Sequence, residues 1–157
     1  MLQIIRSINH LDLREITQIY EDAGFDSTPS GFKQLKSHDR QKVSNIYECF
    51  YDLFRLGGFC GLWIVDGRVV SAVRAECFED GYLISGLVTR IEYRGNGYAS
   101  NLLSGVVDAA GKKCYSHVDK RNKASLLVHR KCGFQHMSDF AYLLDGTVTT
   151  NAYTLVK

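Results

Sequence analysis

The chain has 157 residues, of which 45% are apolar and 23% charged, and its net charge is only +2 at neutral pH. With a single proline and 14 glycines, this composition excludes a disordered chain, a collagen-like chain and a coiled coil. The length predicts one domain over residues 1–157 that buries its core without a metal or disulfide staple.

Hydropathy and cysteine spacing predict a cytoplasmic protein. No apolar run approaches the roughly 20 residues that span a bilayer, and the apolar opening of the chain is too short for a signal-peptide core. The five cysteines are scattered without a C-x-x-C pair. This spacing makes a disulfide framework or a zinc site unexpected and favours a reducing compartment.

The N-terminal part of the chain predicts one strand and two helices. Residues 3–7 form a short apolar strand, and the first helix follows with Asn9 as its N-cap. A polar loop over residues 24–36 leads to a second helix over residues 37–56, which a pair of glycines ends.

The hydrophobic period then changes from helical to strand-like. Residues 59–65 and 68–78 are predicted to pair as a hairpin around an Asp-Gly turn. A further strand follows over residues 82–89, in which Gly86 indicates a bulge.

The C-terminal part predicts a helix over residues 97–110, a strand over 114–118, a short helix over 124–131 and a hairpin over 140–156 with an Asp-Gly turn. The complete order predicts an α/β protein of the α+β type. Its sheet is expected to be mixed and mostly antiparallel, with about seven strands and about four helices on both faces.

Basic side chains are concentrated in residues 90–131. This segment carries nine Lys or Arg against three Asp or Glu, a net charge of +6, whereas the rest of the chain has a net charge of −4. The segment therefore favours an anionic partner, either a nucleic acid or a polyphosphate cofactor, with a solvated helix face as the alternative. The low overall charge and the few aromatic rings in the segment argue against nucleic acid.

A glycine-rich turn joins the strand ending at Thr89 to the following helix. Gly95 and Gly97 can adopt positive φ angles, and the N–H groups at the helix start converge on one point that suits a phosphate. Arg94 adds a positive charge beside that point. The turn lacks the Gly-Lys pair of a Walker loop, and Ser100 stands where the dinucleotide fingerprint needs its last glycine. The alternative to a phosphate-binding loop is a turn that only joins the strand to the helix and binds no ligand.

Two segments resemble one family. The run Arg94-Gly95-Asn96-Gly97-Tyr98-Ala99 is similar to the R-x-x-G-x-[G/A] pyrophosphate loop of the GNAT superfamily of acyl-CoA-dependent N-acyltransferases. The family's downstream pattern, V-x-x-x-N-x-x-[A/S] followed by G-F, is matched by Val118, Asn122, Ser125, Gly133 and Phe134. With the element order, the resemblance covers most of residues 59–157, and it implies a GNAT-like sheet whose central strands splay apart.

The resemblance implies an N-acetyltransferase that transfers an acetyl group from acetyl-CoA to a primary amine by direct attack in a ternary complex, without a metal. The pantetheine arm would lie along the strand backbone at Leu87, Val88 and Thr89. The pyrophosphate would lie against Arg94, Gly95, Asn96, Gly97, Tyr98, Ala99 and Ser100, and Asn122 would contact the cofactor near the next helix start.

Three points about partners stay open. The acidic remainder of the chain mildly favours a cationic acceptor, either a small amine or a peptide. The second helix and the C-terminal hairpin can each contribute to a homodimer. A non-catalytic acyl-CoA-binding sensor or interaction module on the same fold is the alternative to an enzyme.

The candidate catalytic residues are His129, His117 and Glu76. His129 stands where the family often has a Tyr that protonates the leaving sulfur. A histidine can serve as that acid. The alternatives are a packing or cofactor-contact residue, or a protein that has lost activity. His117 stands where one branch of the family has a Glu base, and strand alternation predicts that only one of His117 and Val118 faces the cleft. Glu76, Glu79 and Asp80 are the alternative carboxylate bases, and an ordered water is another.

Overall fold

The computed structural model describes residues 1–22, 40–143 and 145–157, with only the backbone of residues 40–45. The strands in this part of the chain are β1 (Leu2–Ile5), β2 (Phe59–Val65), β3 (Arg68–Phe78), β4 (Gly81–Thr89), β5 (Cys114–Asp119), β6 (Gln135–Ser138), β7 (Ala141–Tyr142), β8 (Val148–Thr149) and β9 (Ala152–Val156). The α-helices are α1 (Leu13–Asp22), α2 (Arg40–Arg55), α3 (Tyr98–Ala110) and α4 (Lys123–Lys131). None of these helices is long and apolar enough to cross a bilayer.

Seven of the strands form one mixed sheet in the order β1-β2-β3-β4-β5-β9-β6. Its neighbouring strands are antiparallel except β4 and β5, which run parallel. The predicted fold class, a mostly antiparallel sheet of about seven strands with four helices, is confirmed.

The sheet has a hydrophobic core on each face. Ile16 and Ile19 of α1 and Phe50 of α2 are buried in the first core, whereas Leu102 and Val106 of α3 are buried in the second. Side chains alternate along a strand, so consecutive residues of the central strands serve opposite cores. The sheet is therefore held between two helical layers.

The sheet opens between β4 and β5. Their pairing covers only three residue pairs, from Tyr82 with Cys114 to Ile84 with Ser116. Beyond that point Gly86 has a φ of +61°, and the register of β3 against β4 shifts, which confirms the predicted bulge. A bulge bends its strand and increases the local twist, so the end of β4 separates from β5.

The predicted start of the first helix was wrong. A short 3₁₀ turn over Ile8–His10 precedes α1, and the Asp12 carboxylate accepts the N–H groups of Arg14 and Glu15 at 3.0 and 3.2 Å. Asp12 therefore takes the capping position that the sequence assigned to Asn9. A carboxylate also gains from the positive end of the helix dipole, which a neutral Asn does not.

The C-terminal tail is more divided than the predicted hairpin. β9 lies between β5 and β6 in the main sheet, whereas β7 and β8 pair separately. The predicted loop over residues 24–36 and the predicted helix start at residues 37–39 lie outside the described residues, as does residue 144 in the tail.

Candidate active site

A cavity of about 650 Å³ lies between the diverging ends of β4 and β5. This volume falls within the range of small-molecule sites. Its wall joins three parts of the chain, which contribute Ile84 and Leu87 from β4, residues 116–119 from β5, and Asn122, Ser125 and His129 from the segment that forms α4. Residues of the C-terminal tail, including Leu143 and Asn151, close another side. The splay of the sheet therefore creates the site.

The end of β4 offers a backbone edge along this cavity. Val88 pairs with Ala72 of β3 and Thr89 pairs with Ser71, but the pairing with β5 stops at Ile84. Across the described residues, no strand pairs with the β5-facing edge of residues 87–89. An extended ligand can add to such an edge through main-chain hydrogen bonds.

The glycine loop has the backbone that the sequence predicts. Gly95 and Gly97 have φ angles of +81° and +80°, and a Cβ built on either glycine meets no described atom within 4 Å. The first helical N–H groups of α3 precede its first intrahelical bond, from Asn101 to the Gly97 carbonyl at 3.0 Å. Open space in front of unpaired N–H groups at a helix start suits an anion.

Two side chains of the loop hold its shape. The Arg94 Nε donates to the Thr89 carbonyl at 3.1 Å. The Asn96 side-chain amide donates to the Tyr93 and Arg94 carbonyls at 3.1 and 3.2 Å. Asn96 therefore stabilises the turn through its side chain.

Asn122 combines two roles at the start of α4. Its side-chain oxygen accepts the Ser125 N–H at 3.0 Å and so caps the helix. The same residue lies on the cavity wall. Because capping uses the oxygen, the amide NH₂ is the part of the side chain that can donate to a ligand.

His129 is the most buried polar side chain of the cavity wall, with 2% of its surface exposed. Its Nδ1 lies 2.8 Å from the Ser125 carbonyl oxygen and 3.3 Å from the Ser125 hydroxyl. Its Nε2 is buried and has no hydrogen-bond partner among the described residues. Burial lowers the pKa of His129 below its ordinary value, although the contact with the Ser125 carbonyl opposes that shift.

His117 lies on the same cavity wall. Its ring packs edge-to-face on Phe78, with centroids 5.8 Å apart, and partial burial lowers the pKa of His117. Both His117 and Val118 line the cavity, whereas the sequence predicted only one of them there. The cavity follows the free edge of β5, so residues from both faces of the strand reach it.

Glu76 does not line the cavity that contains the two histidines. Its carboxylate accepts the Ser85 hydroxyl at 2.5 Å and lies 3.4 Å from the buried Arg74 guanidinium. Arg74 also donates to the Cys49 thiol at 2.6 Å. These groups form a polar cluster beside the β4 bulge, where the Tyr20 hydroxyl donates to the Gly86 carbonyl at 3.0 Å.

Sequence reasoning missed the role of Arg90, which it counted only in the basic segment. Arg90 is fully buried, and its Nε donates to the Val69 carbonyl at 2.8 Å. Its guanidinium pairs with Asp22 at 2.5 Å and with Glu15 at 3.2 Å. Arg90 thereby ties α1 to the end of β4, directly before the glycine loop. These partners lie far away in the sequence, which gives no local signal for the contact.

All five cysteines are free thiols. In the part of the chain that the structure describes, no group of three or more His, Cys, Asp or Glu side chains is placed to hold a metal ion.

The comparisons with solved structures support the fold. The chain is similar to an N-acetyltransferase from Staphylococcus aureus Mu50, with 19% identity and a TM-score of 0.73 over 100% of this chain and 98% of that one. It is also similar to the PaiA N-acetyltransferase from Thermoplasma acidophilum in complex with coenzyme A, with 15% identity and a TM-score of 0.63 over 100% and 98%. A third similar structure is a GNAT superfamily phosphinothricin acetyltransferase from Sinorhizobium meliloti in complex with AcCoA, with 17% identity and a TM-score of 0.73 over 99% and 87%.

A comparison with curated proteins found no match. The sequence model of the acetyltransferase (GNAT) family, in contrast, matches residues 13–134. This match covers more than three quarters of the chain and includes both motifs and the cavity walls from β4, β5 and α4, whereas the tail residues that close the cavity lie beyond it. The chain therefore belongs to the acetyltransferase (GNAT) family.

Proposed function

We propose that the protein is an N-acetyltransferase that transfers the acetyl group of acetyl-CoA to a primary amine by direct attack in a ternary complex. The observation that carries this proposal is that the open edge of β4 starts at the wall of a cavity and is followed directly in the chain by a glycine loop with open space in front of it. Two of the similar structures hold coenzyme A or acetyl-CoA. The same cofactor has both an extended amide-containing arm and a pyrophosphate.

Each part of the site matches one part of the cofactor in this proposal. The backbone of Leu87–Thr89 pairs with the pantetheine arm, because this edge has no strand partner within the described residues. The N–H groups around Gly95 and Gly97 bind the pyrophosphate, with Arg94 adding positive charge. Asn122 donates its side-chain amide to the cofactor.

Direct transfer requires positioning and a balanced movement of protons. An acceptor that arrives protonated first loses one proton to solvent; the neutral amine then attacks and loses a second proton, and the departing thiolate gains one. Holding both reactants in one cavity supplies much of the rate enhancement. His129 and His117 are the titratable side chains that the cavity brings together for the proton transfer.

The acceptor class follows from charge. Outside residues 90–131 the chain has a net charge of −4, which favours a protonated amine over an anionic acceptor. A small amine and a peptide amine both satisfy this condition.

The test is release of free thiol from acetyl-CoA by the purified protein, measured across a panel of polyamines, aminoglycosides, amino acids and peptides. We expect release that depends on one amine class, with the acetylated amine identified by mass spectrometry. Reactions without amine control for thioester hydrolysis. Acetyl-CoA binding with no amine-dependent release would contradict the enzyme and support the non-catalytic binding module.

A further inference from the structure

The ring of His129 has one satisfied nitrogen and one unsatisfied nitrogen. The Nδ1 lies 2.8 Å from the Ser125 carbonyl oxygen, whereas the buried Nε2 has no partner among the described residues. Buried polar atoms without a partner are rare in native proteins and call for an explanation. His129 lies on the cavity wall, so a small shift of that wall would let a bound reactant provide the missing partner of the otherwise closed-off Nε2.

The satisfied nitrogen determines which nitrogen carries the proton. A carbonyl oxygen only accepts hydrogen bonds, and the Ser125 carbonyl at 2.8 Å is closer to the Nδ1 than the Ser125 hydroxyl at 3.3 Å. We therefore assign the proton of the neutral ring to the Nδ1. The Nε2 then has a free lone pair and is a proton acceptor. A histidine in this state cannot begin the reaction as an acid, which is the role that the family's Tyr suggests for this position.

The surroundings of His129 favour this neutral form. The other titratable groups on the cavity wall are His117 and the Asp119–Arg121 ion pair, whose closest atoms are 2.8 Å apart. On its own helix, Lys123, Arg130 and Lys131 are exposed cations. The adjoining groups are the Cys132 thiol, whose pKa burial raises, and Lys157, which donates to the Cys132 carbonyl at 2.6 Å. From α3, the only charged side chain is the exposed Asp108. None of these places a carboxylate in contact with the ring to hold it protonated.

We infer, resting on the proposed N-acetyltransferase function, that the Nε2 of His129 takes the proton from the attacking amine and then gives the same proton to the departing sulfur. The C–N bond forms, the C–S bond breaks, and one proton passes from nitrogen to sulfur through the imidazole. Both atoms are bonded to the same carbon in the tetrahedral intermediate, so one fixed nitrogen can contact each in turn. The Ser125 carbonyl orients the ring and stabilises the transient imidazolium by keeping its bond to Nδ1–H.

The inference determines the direction of the pH dependence. A proton acceptor must be neutral at the start, so kcat rises with pH through the pKa of His129 and is then constant. An initial acid must be protonated, so kcat would fall over the same interval. Burial places this pKa below the ordinary value of about 6.5, so the change is expected in mildly acidic solution.

The experiment combines rates with a direct observation of the ring. Thiol release is measured against pH with an acceptor amine of low pKa, so that the amine does not titrate in the same interval. We expect His129→Gln to lose the rise of kcat with pH in acidic solution (the acidic limb of the profile) and to lower kcat by about 10²- to 10⁴-fold. The exposed His136, which pairs with Asp139 at 2.9 Å, provides the control, and His136→Gln should keep both rate and limb. Nitrogen-15 NMR of the labelled protein should show Nδ1 protonated and Nε2 unprotonated.

The outcomes separate this inference from the proposed function. Two results would overturn only the proton transfer through His129 and leave the proposed function intact. One is thiol release by a protein whose neutral ring carries its proton on Nε2. The other is thiol release by folded His129→Gln with an unchanged acidic limb. If His129→Gln does not fold, the same assay is done with His129→Tyr, which carries the residue common in the family. A phenol with a pKa of about 10 is no base here. This variant should therefore also lose the rise of kcat with pH. Absence of release by the wild type with every amine would overturn the proposed function and this inference together.

Discussion

Replacing Arg90 with Met tests whether the buried guanidinium holds α1 against the end of β4. Arg90 is fully buried and contacts three groups, the Val69 carbonyl, Glu15 and Asp22. Methionine keeps most of the apolar volume but leaves all three contacts unmade. We therefore expect Arg90→Met to fold but to be measurably less stable.

The size of this effect follows from the exposure of the partners. Removing one member of a fully buried ion pair costs about 3–5 kcal/mol, because the remaining charge is left without compensation. Glu15 and Asp22 are 36% and 33% exposed, so water can solvate them partly after the change. We expect a loss near the lower end, about 3 kcal/mol, which includes the hydrogen bond to the Val69 carbonyl.

Urea unfolding measures this loss, and a surface ion pair provides the control. Arg68 lies 3.3 Å from Glu92, with both side chains about half exposed, and such pairs contribute about 0–1 kcal/mol. Arg68→Met should therefore shift the midpoint little, whereas Arg90→Met should shift it strongly. Equal midpoints for the two variants would refute the role that we assign to Arg90.

Two further changes test the cofactor site and the core. Asn122→Asp should keep the cap on α4, and therefore the stability, but weaken acetyl-CoA binding in a titration. Asn122→Ala should weaken binding and also lower the free energy of unfolding in urea by about 1 kcal/mol, because the cap is lost. Full binding by Asn122→Asp would exclude the amide as a contact. Burial raises the pKa of the Cys60 thiol to about 12, so in native protein at pH 8 a thiol reagent should label exposed Cys77 long before Cys60. Mass spectrometry of the labelled peptides measures this order, and early labelling of Cys60 would contradict the packing of the first core.

Elements with strong local signals could be predicted from the sequence. The structure has β2 at Phe59–Val65 and β3 at Arg68–Phe78, as predicted from their apolar runs and the Asp-Gly turn between them. The bulge at Gly86 was also predictable, because an isolated glycine in a strand commonly marks one. At these places the local preference and the final packing agree.

Elements whose placement depends on tertiary contacts could not be predicted. Three of the four residues 135–138 are polar and gave no strand pattern, yet the segment forms β6 at the edge of the sheet. A strand at an edge tolerates such residues, because only one of its sides must pair. The helix start was assigned to Asn9 rather than Asp12, because both are good capping residues and the local sequence does not show which of them the structure uses.

The candidate site was predictable in part. The motifs identified the glycine loop and Asn122, and they placed His117 and His129 as candidates. The sequence does not show that these two histidines share one cavity, that Glu76 lies outside its wall, or that the Nδ1 of His129 lies against a carbonyl oxygen. Those properties depend on the splay of β4 from β5 and on a carbonyl one helical turn away.

The central claim is that the glycine loop and the β4–β5 cavity bind acetyl-CoA. Gly97→Val places a branched side chain in the open space before the loop and at a φ of +80°. Gly111→Val is the matched control at the other end of α3. Gly111 also has a positive φ, +58°, and a Cβ at this position likewise meets no described atom within 4 Å. Both variants should lose similar stability, because β-branched residues are strained at positive φ.

Calorimetric titration of the wild type and these two variants with acetyl-CoA is the most direct measurement. We predict saturable binding by the wild type and by Gly111→Val, and none by Gly97→Val. Binding by Gly97→Val equal to that of the wild type, or no binding by the folded wild type, would contradict the assigned cofactor site.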